Sequence, residues 1–204
     1  MKFVLFVEGD TERVLKDFLK RWLDVRLSDK VHVDIFNFQG CYKLIKKTPK
    51  KANMYLSQSD VIGVISLLDL YCPDFYPKDI KNVHERYKWA KDKLEKEVGQ
   101  PKFRQFFAVH ETEAWLLSDP AIFPQEIRTA IELFPKKPEE VDFDHPPAKR
   151  LNDLYLEHLH KGYKKVVDGN QLFKKLDPNA VYSKCPHFKE MMDEMLKMAK
   201  ESGL

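Results

Sequence analysis

Glycine is scarce in this chain, with seven in 204 residues. Neither a Gly-x-Gly-x-x-Gly turn nor a Walker-type loop can be written from them, so the backbone cradles that hold nucleotide phosphates are missing. The chain is therefore not read as an ATPase itself, and a small-molecule phosphotransferase reading lacks its phosphate loop. Cysteine is scarcer still. Cys41, Cys72 and Cys185 are odd in number, far apart and without a Cys-x-x-Cys pair. That pattern argues against a disulfide framework or a zinc ribbon and fits a reducing compartment. No apolar run approaches the ~20 residues that cross a bilayer, and Glu8 ends the N-terminal run before it resembles a signal peptide. An excess of one charge is lacking too. Lys and Arg number 35 against 32 Asp and Glu, leaving +3, a balance that by itself demands no nucleic-acid partner. Together these absences predict a soluble, cytoplasmic protein without membrane association.

What is present is a globular composition, 43% hydrophobic and 12% aromatic, in a chain long enough for one sizeable core. Residues 3–7 (Phe-Val-Leu-Phe-Val) and 61–68 (VIGVISLL) are short, unbroken apolar runs, the mark of strands buried on both faces. Residues 31–38 (VHVDIFNF) begin by alternating, which predicts a strand nearer an edge, and residues 103–109 predict a fourth. Between them, Val14, Leu15, Phe18, Leu19, Trp22 and Leu23 recur at helical spacing. A basic helix is expected around Pro49, and a charged one over 78–97, stopped by Gly99 and Pro101. Strands alternating with helices predict an α/β fold with an open, mostly parallel sheet flanked by helices, over residues 1–120. Residues 121–204 read as short, proline-broken helices forming a helical C-terminal extension packed on it.

In open α/β sheets ligands bind beyond the carboxyl ends of the strands. Acids follow three of the expected strands: Glu8, then Asp69, then Glu111 and Glu113. In a parallel sheet they share one rim, where they repel one another unless a cation sits among them. Hard ions such as Mg²⁺ or Mn²⁺ favour these oxygen ligands. The competing reading for each acid is a helix cap, and for Glu113 an exposed amphipathic turn. Lysines in "KLIKKTPKK" (Lys46, Lys47 and Lys50 among them), Lys149 and Arg150 in "AKRL", and Lys165 in "KGYKK" are candidate phosphate contacts, against the alternative of a solvated basic face. His110 is more ordinarily structural than a proton shuttle. Cys185 and His187 in "KCPHF" lack the two further ligands of a zinc site. Phe103, Phe106 and Phe107 read as core.

The segments "FVEGDTE" and "VISLLDLY" resemble the Toprim domain of primases, topoisomerases and nucleases of the overcoming-lysogenization-defect (OLD) type. The resemblance maps Glu8 onto the glutamate after the first Toprim strand, and Asp69 onto the first member of an Asp-x-Asp pair. Tyr71 stands where the second acid is expected, which leaves Asp74 or Glu111 as substitute ligands and puts two-metal chemistry in doubt. "VEGDTE", "LLDLYCPDFYP", "AVHETEAWLLSDP", "PPAKRL" and "KCPHF" also fall in the order seen in a prokaryotic Toprim-like family of unknown function, often found near AAA-type ATPases or in defence contexts. What the resemblance implies is a Mg- or Mn-dependent nuclease for DNA or RNA. Glu8 and Asp69 are its catalytic and metal-binding residues, with Glu111, Glu113 and Asp74 as further candidate ligands, and an AAA-type ATPase is a possible partner. The alternative is a non-catalytic module of the same fold that binds nucleic acid or the ATPase.

Overall fold

The four apolar runs become four strands, β1 (Lys2–Val7), β2 (His32–Asn37), β3 (Val61–Asp69) and β4 (Phe103–Ala108), in one all-parallel sheet of order β2-β1-β3-β4. The computed structural model describes residues 1–9, 14–70, 72, 74–109, 111–133, 137–140 and 145–204. The expected inequality of the strands is realised. β1 and β3 lie inside the sheet and are almost wholly buried, whereas alternating β2 is an edge with His32 and Asp34 exposed.

Each strand sends alternate side chains to opposite faces. Val4, Phe6, Val64, Leu68, Phe103 and Phe107 form one core with α2 (Cys41–Leu56) and α3 (Val83–Val98). Phe3, Leu5, Val7, Val33, Ile65, Leu67, Phe106 and Ala108 form the other with α1 (Leu15–Leu23) and helices from the C-terminal third. Residue 49 is inside α2 although it is proline, which forfeits one helical bond; the Pro49 carbonyl accepts from the Asn53 side-chain Nδ2 at 2.8 Å. Helix α3 begins later than the expected residue 78. Asn82 accepts backbone N–H bonds from His84 and Glu85, and that cap defines the start at Val83. Gly99 ends the helix in the left-handed conformation, at φ 64°.

Beyond β4 come α4 (Glu113–Leu116), α5 (Gln125–Glu132), α6 (Pro147–Leu159), a π-helical turn (Lys165–Gly169), α7 (Asn170–Lys175), α8 (Pro178–Lys184) and α9 (Pro186–Glu201). Pro147, Pro178 and Pro186 each stand at a helix start, where the missing N–H costs nothing. These helices close the second core: Phe173, Phe188, Met191, Met192 and Met195 pack with Phe18 and Trp115.

The reading of the cysteines against a disulfide is corrected. Cys41 and Cys72 form one, with Cα atoms 6.1 Å apart. Cys41 opens α2, just after β2, and Cys72 follows β3, so both lie beyond carboxyl ends of a parallel sheet. A separation of 31 residues hides that proximity. Among the described residues no helix is long and apolar enough to cross a membrane.

Candidate functional site

The carboxyl edge of the sheet is where the charged residues gather. Asp69 is the last residue of β3 and pairs in register with Ala108 at the end of β4. Phe6 of β1 is level with Ser66, and the same register carried two residues onward puts Glu8 level with Leu68, next to Asp69. Glu8 is half-buried, and its carbonyl accepts from the Gly40 amide at 2.9 Å, tying the end of β1 to the start of α2.

Glu111 lies three residues beyond β4 with φ 84°, the left-handed region that glycine favours. Such backbone in a non-glycine residue costs on the order of 1–3 kcal/mol and persists where surrounding contacts hold it. The contacts here are specific. Glu111 Oε2 accepts from the Ala148 backbone N–H at 3.2 Å, in the first turn of α6, and Oε1 accepts from Lys165 Nζ at 2.8 Å. Helix α6 has no capping side chain of its own, because Pro146 occupies that position. The carboxylate supplies an acceptor from another element, at the end of the helix where negative charge is favoured.

Lys165 also lies 3.4 Å from Glu113 Oε2. The exposed amphipathic position considered for Glu113 is corrected: its side chain is 5% exposed, because α4 turns inward beneath the rim. Burial pushes the Glu113 carboxyl above its usual range; Lys165 opposes that shift and Glu111 adds to it. Burial works against the charge on Lys165, but Glu113, Glu111 and Asp69 outweigh it and raise its pKa above the ordinary lysine value. Lys165 thus stands as an ammonium among three acids from β3, the post-β4 turn and α4. It opens a π-helical turn closed by Asp168, whose Oδ2 accepts from the Lys164 amide at 2.8 Å. Gly169 ends that turn in close packing, since a Cβ there would meet the Tyr163 hydroxyl oxygen at 2.8 Å and that side chain would have to shift.

The remaining candidates are placed as follows. Asp74 is exposed, with φ 58°, and lines a cavity beside Leu70. Lys46, Lys47 and Lys50 are exposed on α2, and Lys149 is exposed in the first turn of α6. Arg150 is half-buried and donates from Nε to the His145 carbonyl at 3.0 Å. Tyr71 and His110 lie outside the described residues. "PPAKRL" supplies the α6 start that holds Glu111. In "KCPHF", buried Glu139 accepts from the His187 and Phe188 backbone N–H groups at 2.8 and 3.2 Å, and the Cys185 thiol lies 3.3 Å from the Ser118 hydroxyl. Those contacts make that motif a helix start. Sequence reasoning assigned Lys165 to phosphate and missed its acid partners; no local signal joins residues 111 and 165.

The donor chemistry suits a hard divalent ion, because these are carboxylate oxygens on one edge. Among the described residues, however, no three His, Cys, Asp or Glu side chains are grouped closely enough to hold a metal. The arrangement therefore fits an ion carried by one or two carboxylates with water and a ligand phosphate, as Mg²⁺ is commonly held. It does not form a three-acid cage.

Comparison with known proteins agrees with this architecture. The C-terminal region of the Burkholderia pseudomallei OLD protein superposes with a TM-score of 0.51, covering 98% of this chain and 97% of that one at 14% sequence identity. At that identity the likeness concerns the fold, which is the Toprim-like α/β sheet. No curated protein matches the sequence. The sequence model of one family matches residues 7–196, and the chain belongs to that family, the domain of unknown function DUF4276.

Proposed function

We propose that this protein is a Mg²⁺- or Mn²⁺-dependent phosphodiesterase that cuts nucleic acid at the carboxyl edge of its sheet. One observation carries the reading: Glu111 and Glu113 reach Lys165 from separate segments, with the charge of Asp69 also favouring its ammonium, at the edge where α/β sheets bind ligands. The OLD-like fold supports it. When bound, the ion supplies Lewis-acid polarisation of the scissile phosphate and lowers the pKa of a water. Glu8 and Asp69 are assigned as its carboxylates because Glu8 directly follows β1 and Asp69 ends β3, the two central strands; Glu8 also serves as a candidate general base. Glu111 and Glu113 hold Lys165 charged and oriented, so that its ammonium meets negative charge developing on the phosphate. Asp74 is assigned to the neighbouring cavity and not to the ion. Lys149 and Arg150 in α6, and Lys46, Lys47 and Lys50 on α2, receive flanking phosphates, which fix the strand without reading its sequence.

The test is cleavage of labelled single- and double-stranded DNA and RNA in Mn²⁺, against the same reaction in EDTA. Metal-dependent products are expected from the wild type. Asp69→Asn and Lys165→Ala, folded as the wild type by circular dichroism, are expected to lose about a hundredfold or more in rate, the scale of losing one charge-stabilising group. Equal rates in both variants sink the assignment.

A second reading has its own support. Lys165 already offsets part of the rim's negative charge by holding both Glu111 and Glu113, as expected of a non-catalytic module that binds nucleic acid or an AAA-type ATPase partner. Metal-independent binding without cleavage, by the chain alone and with the ATPase, identifies that case. The family resemblance in the motifs motivates the ATPase partner and a defence setting.

A further inference from the structure

Next to Asp69 the carboxyl edge opens into a cavity of about 380 Å³, lined by Leu70, Cys72, Asp74, Tyr76, Pro77, Lys78 and Arg86. Its size is in the range of small-ligand sites and exceeds what a single ion fills. Its chemistry centres on Arg86. The guanidinium is half-buried and lies 5.3 Å from the centre of the Tyr76 ring, while Nε donates to the Ile80 carbonyl at 2.9 Å. These contacts fix the plane of the fork.

The two Nη groups of Arg86 make no hydrogen bond and no ion pair among the described residues. That sets Arg86 apart. Arg21, Arg26, Arg104 and Arg128 each donate from an Nη to a protein acceptor. The Nη groups are not among the buried atoms left without a partner, so water reaches them and a ligand phosphate can take its place on an already oriented fork. Exposed Lys78 adds a second cation to the lining, and Asp74, the acid there, is paired with neither among the described residues. Among the described lining residues the two cations outnumber the one acid, beside a rim where Glu111 and Glu113 share Lys165.

We propose that this cavity is a phosphate subsite, in which the Arg86 fork takes a phosphate of the nucleic-acid strand adjoining the linkage at Asp69. The proposal rests on the nuclease reading only for the position of the cut; the subsite itself is defined by Arg86 and Lys78. Bidentate guanidinium–phosphate bonding is the pairing this geometry offers. The phosphate is either a terminal 5′-phosphate or one inside the strand.

The test is fluorescence anisotropy of the full chain with short single strands in EDTA, so that cleavage does not enter. Four variants are compared with the wild type after melting temperatures establish that each folds: Arg86→Gln, Arg86→Lys, Lys78→Gln, and Lys197→Gln as a remote control. Arg86→Gln is expected to weaken binding about tenfold or more, and Arg86→Lys, which keeps charge without the fork, to recover only part. Lys78→Gln is expected to lower the salt dependence of binding by about one counterion, with Lys197→Gln unchanged. Lys78 is exposed, so its variant reports even if Arg86→Gln does not fold. Wild-type affinity and salt slope in the Arg86 and Lys78 variants, or no binding by the wild type, overturn the proposal. If removing the 5′-phosphate abolishes the difference between wild type and Arg86→Gln, the subsite holds a strand end; an unchanged difference places it within the strand. Binding that depends on Arg86 without Mn²⁺-dependent cleavage rejects the nuclease reading and keeps the subsite. Cleavage with binding indifferent to Arg86 and Lys78 does the reverse.

Discussion

The two faces of the sheet are covered in different ways. One face is closed by α2 and α3, each the direct connection between strands adjacent in sequence, and its aromatic cluster of Phe6, Phe36, Phe38 and Tyr55 comes from the first 55 residues. The other is closed by α1 and by helices more than a hundred residues further on, such as α9, with Phe18 against Phe173 and Phe188. The local face is a scaffold. The distant face builds the rim, because the segment that covers it also delivers Lys165 and the α6 amide to Glu111. Long-range packing, not the strand-helix alternation, is what assembles the candidate site.

Removing anchors from each face separates their roles. Phe188→Ala on the distant face is expected to cost about 3–5 kcal/mol, since a fully buried aromatic leaves a cavity among Trp115 and Phe18. Urea unfolding measures it, and the comparison predicts that ligand affinity falls with it, because the helices holding Lys165 loosen. A stability loss below about 1 kcal/mol, or an affinity that does not move, breaks the assignment of that face to the rim.

On the local face, reducing the Cys41–Cys72 disulfide releases a loop of 31 residues, for which chain entropy predicts a loss of about 3–4 kcal/mol. Cys41→Ser is the matching variant, insensitive to reductant in the same urea titration. Equal midpoints for the wild type with and without dithiothreitol mean that the bridge contributes nothing to the fold in solution.

The smallest effect tests a tie between the two faces. Glu190 on α9 accepts from Lys91 on α3 and from the Tyr87 hydroxyl at 3.0 Å. The His187 side chain chiefly, its Nδ1 3.9 Å from the carboxylate, against burial and with help from Lys91 and Tyr87, lowers its pKa to about 2. An acid depressed in the folded state contributes stability above its unfolded value of 4.5, and loses it as pH falls from there through about 2. Because the side chain is 44% exposed, solvent screening limits this to about 1 kcal/mol. Glu190→Gln is expected to flatten that part of the acid limb in a stability-versus-pH series; an unchanged limb removes the tie.

The same division explains what the sequence made readable. The runs at 3–7 and 61–68 announce buried strands by their apolar continuity, and the α1 stripe announces a helix by its period. Asp69 and Glu8 on one edge follow from parallel order alone. Asn82 with Glu85 three residues on was an available cap signal for α3, masked by the charged run before it. The partners of Lys165, the burial of Glu113 and the Cys41–Cys72 bridge carry no local signature. Each depends on how segments far apart in sequence dock, which periodicity does not encode. The backbone of Glu111 is of the same kind, since its turn conformation is set by α6.

That backbone has a consequence for anyone engineering the protein. Stabilising schemes replace left-handed residues with glycine, which would relax the conformation at position 111. Here the same exchange removes the acceptor for Ala148 and one of the two carboxylate partners of Lys165. Local relief and loss of the junction have opposite signs at one position. A variant at 111 selected for heat resistance alone therefore tends toward a sturdier protein with an unfastened edge, and thermal screening is the wrong guide there.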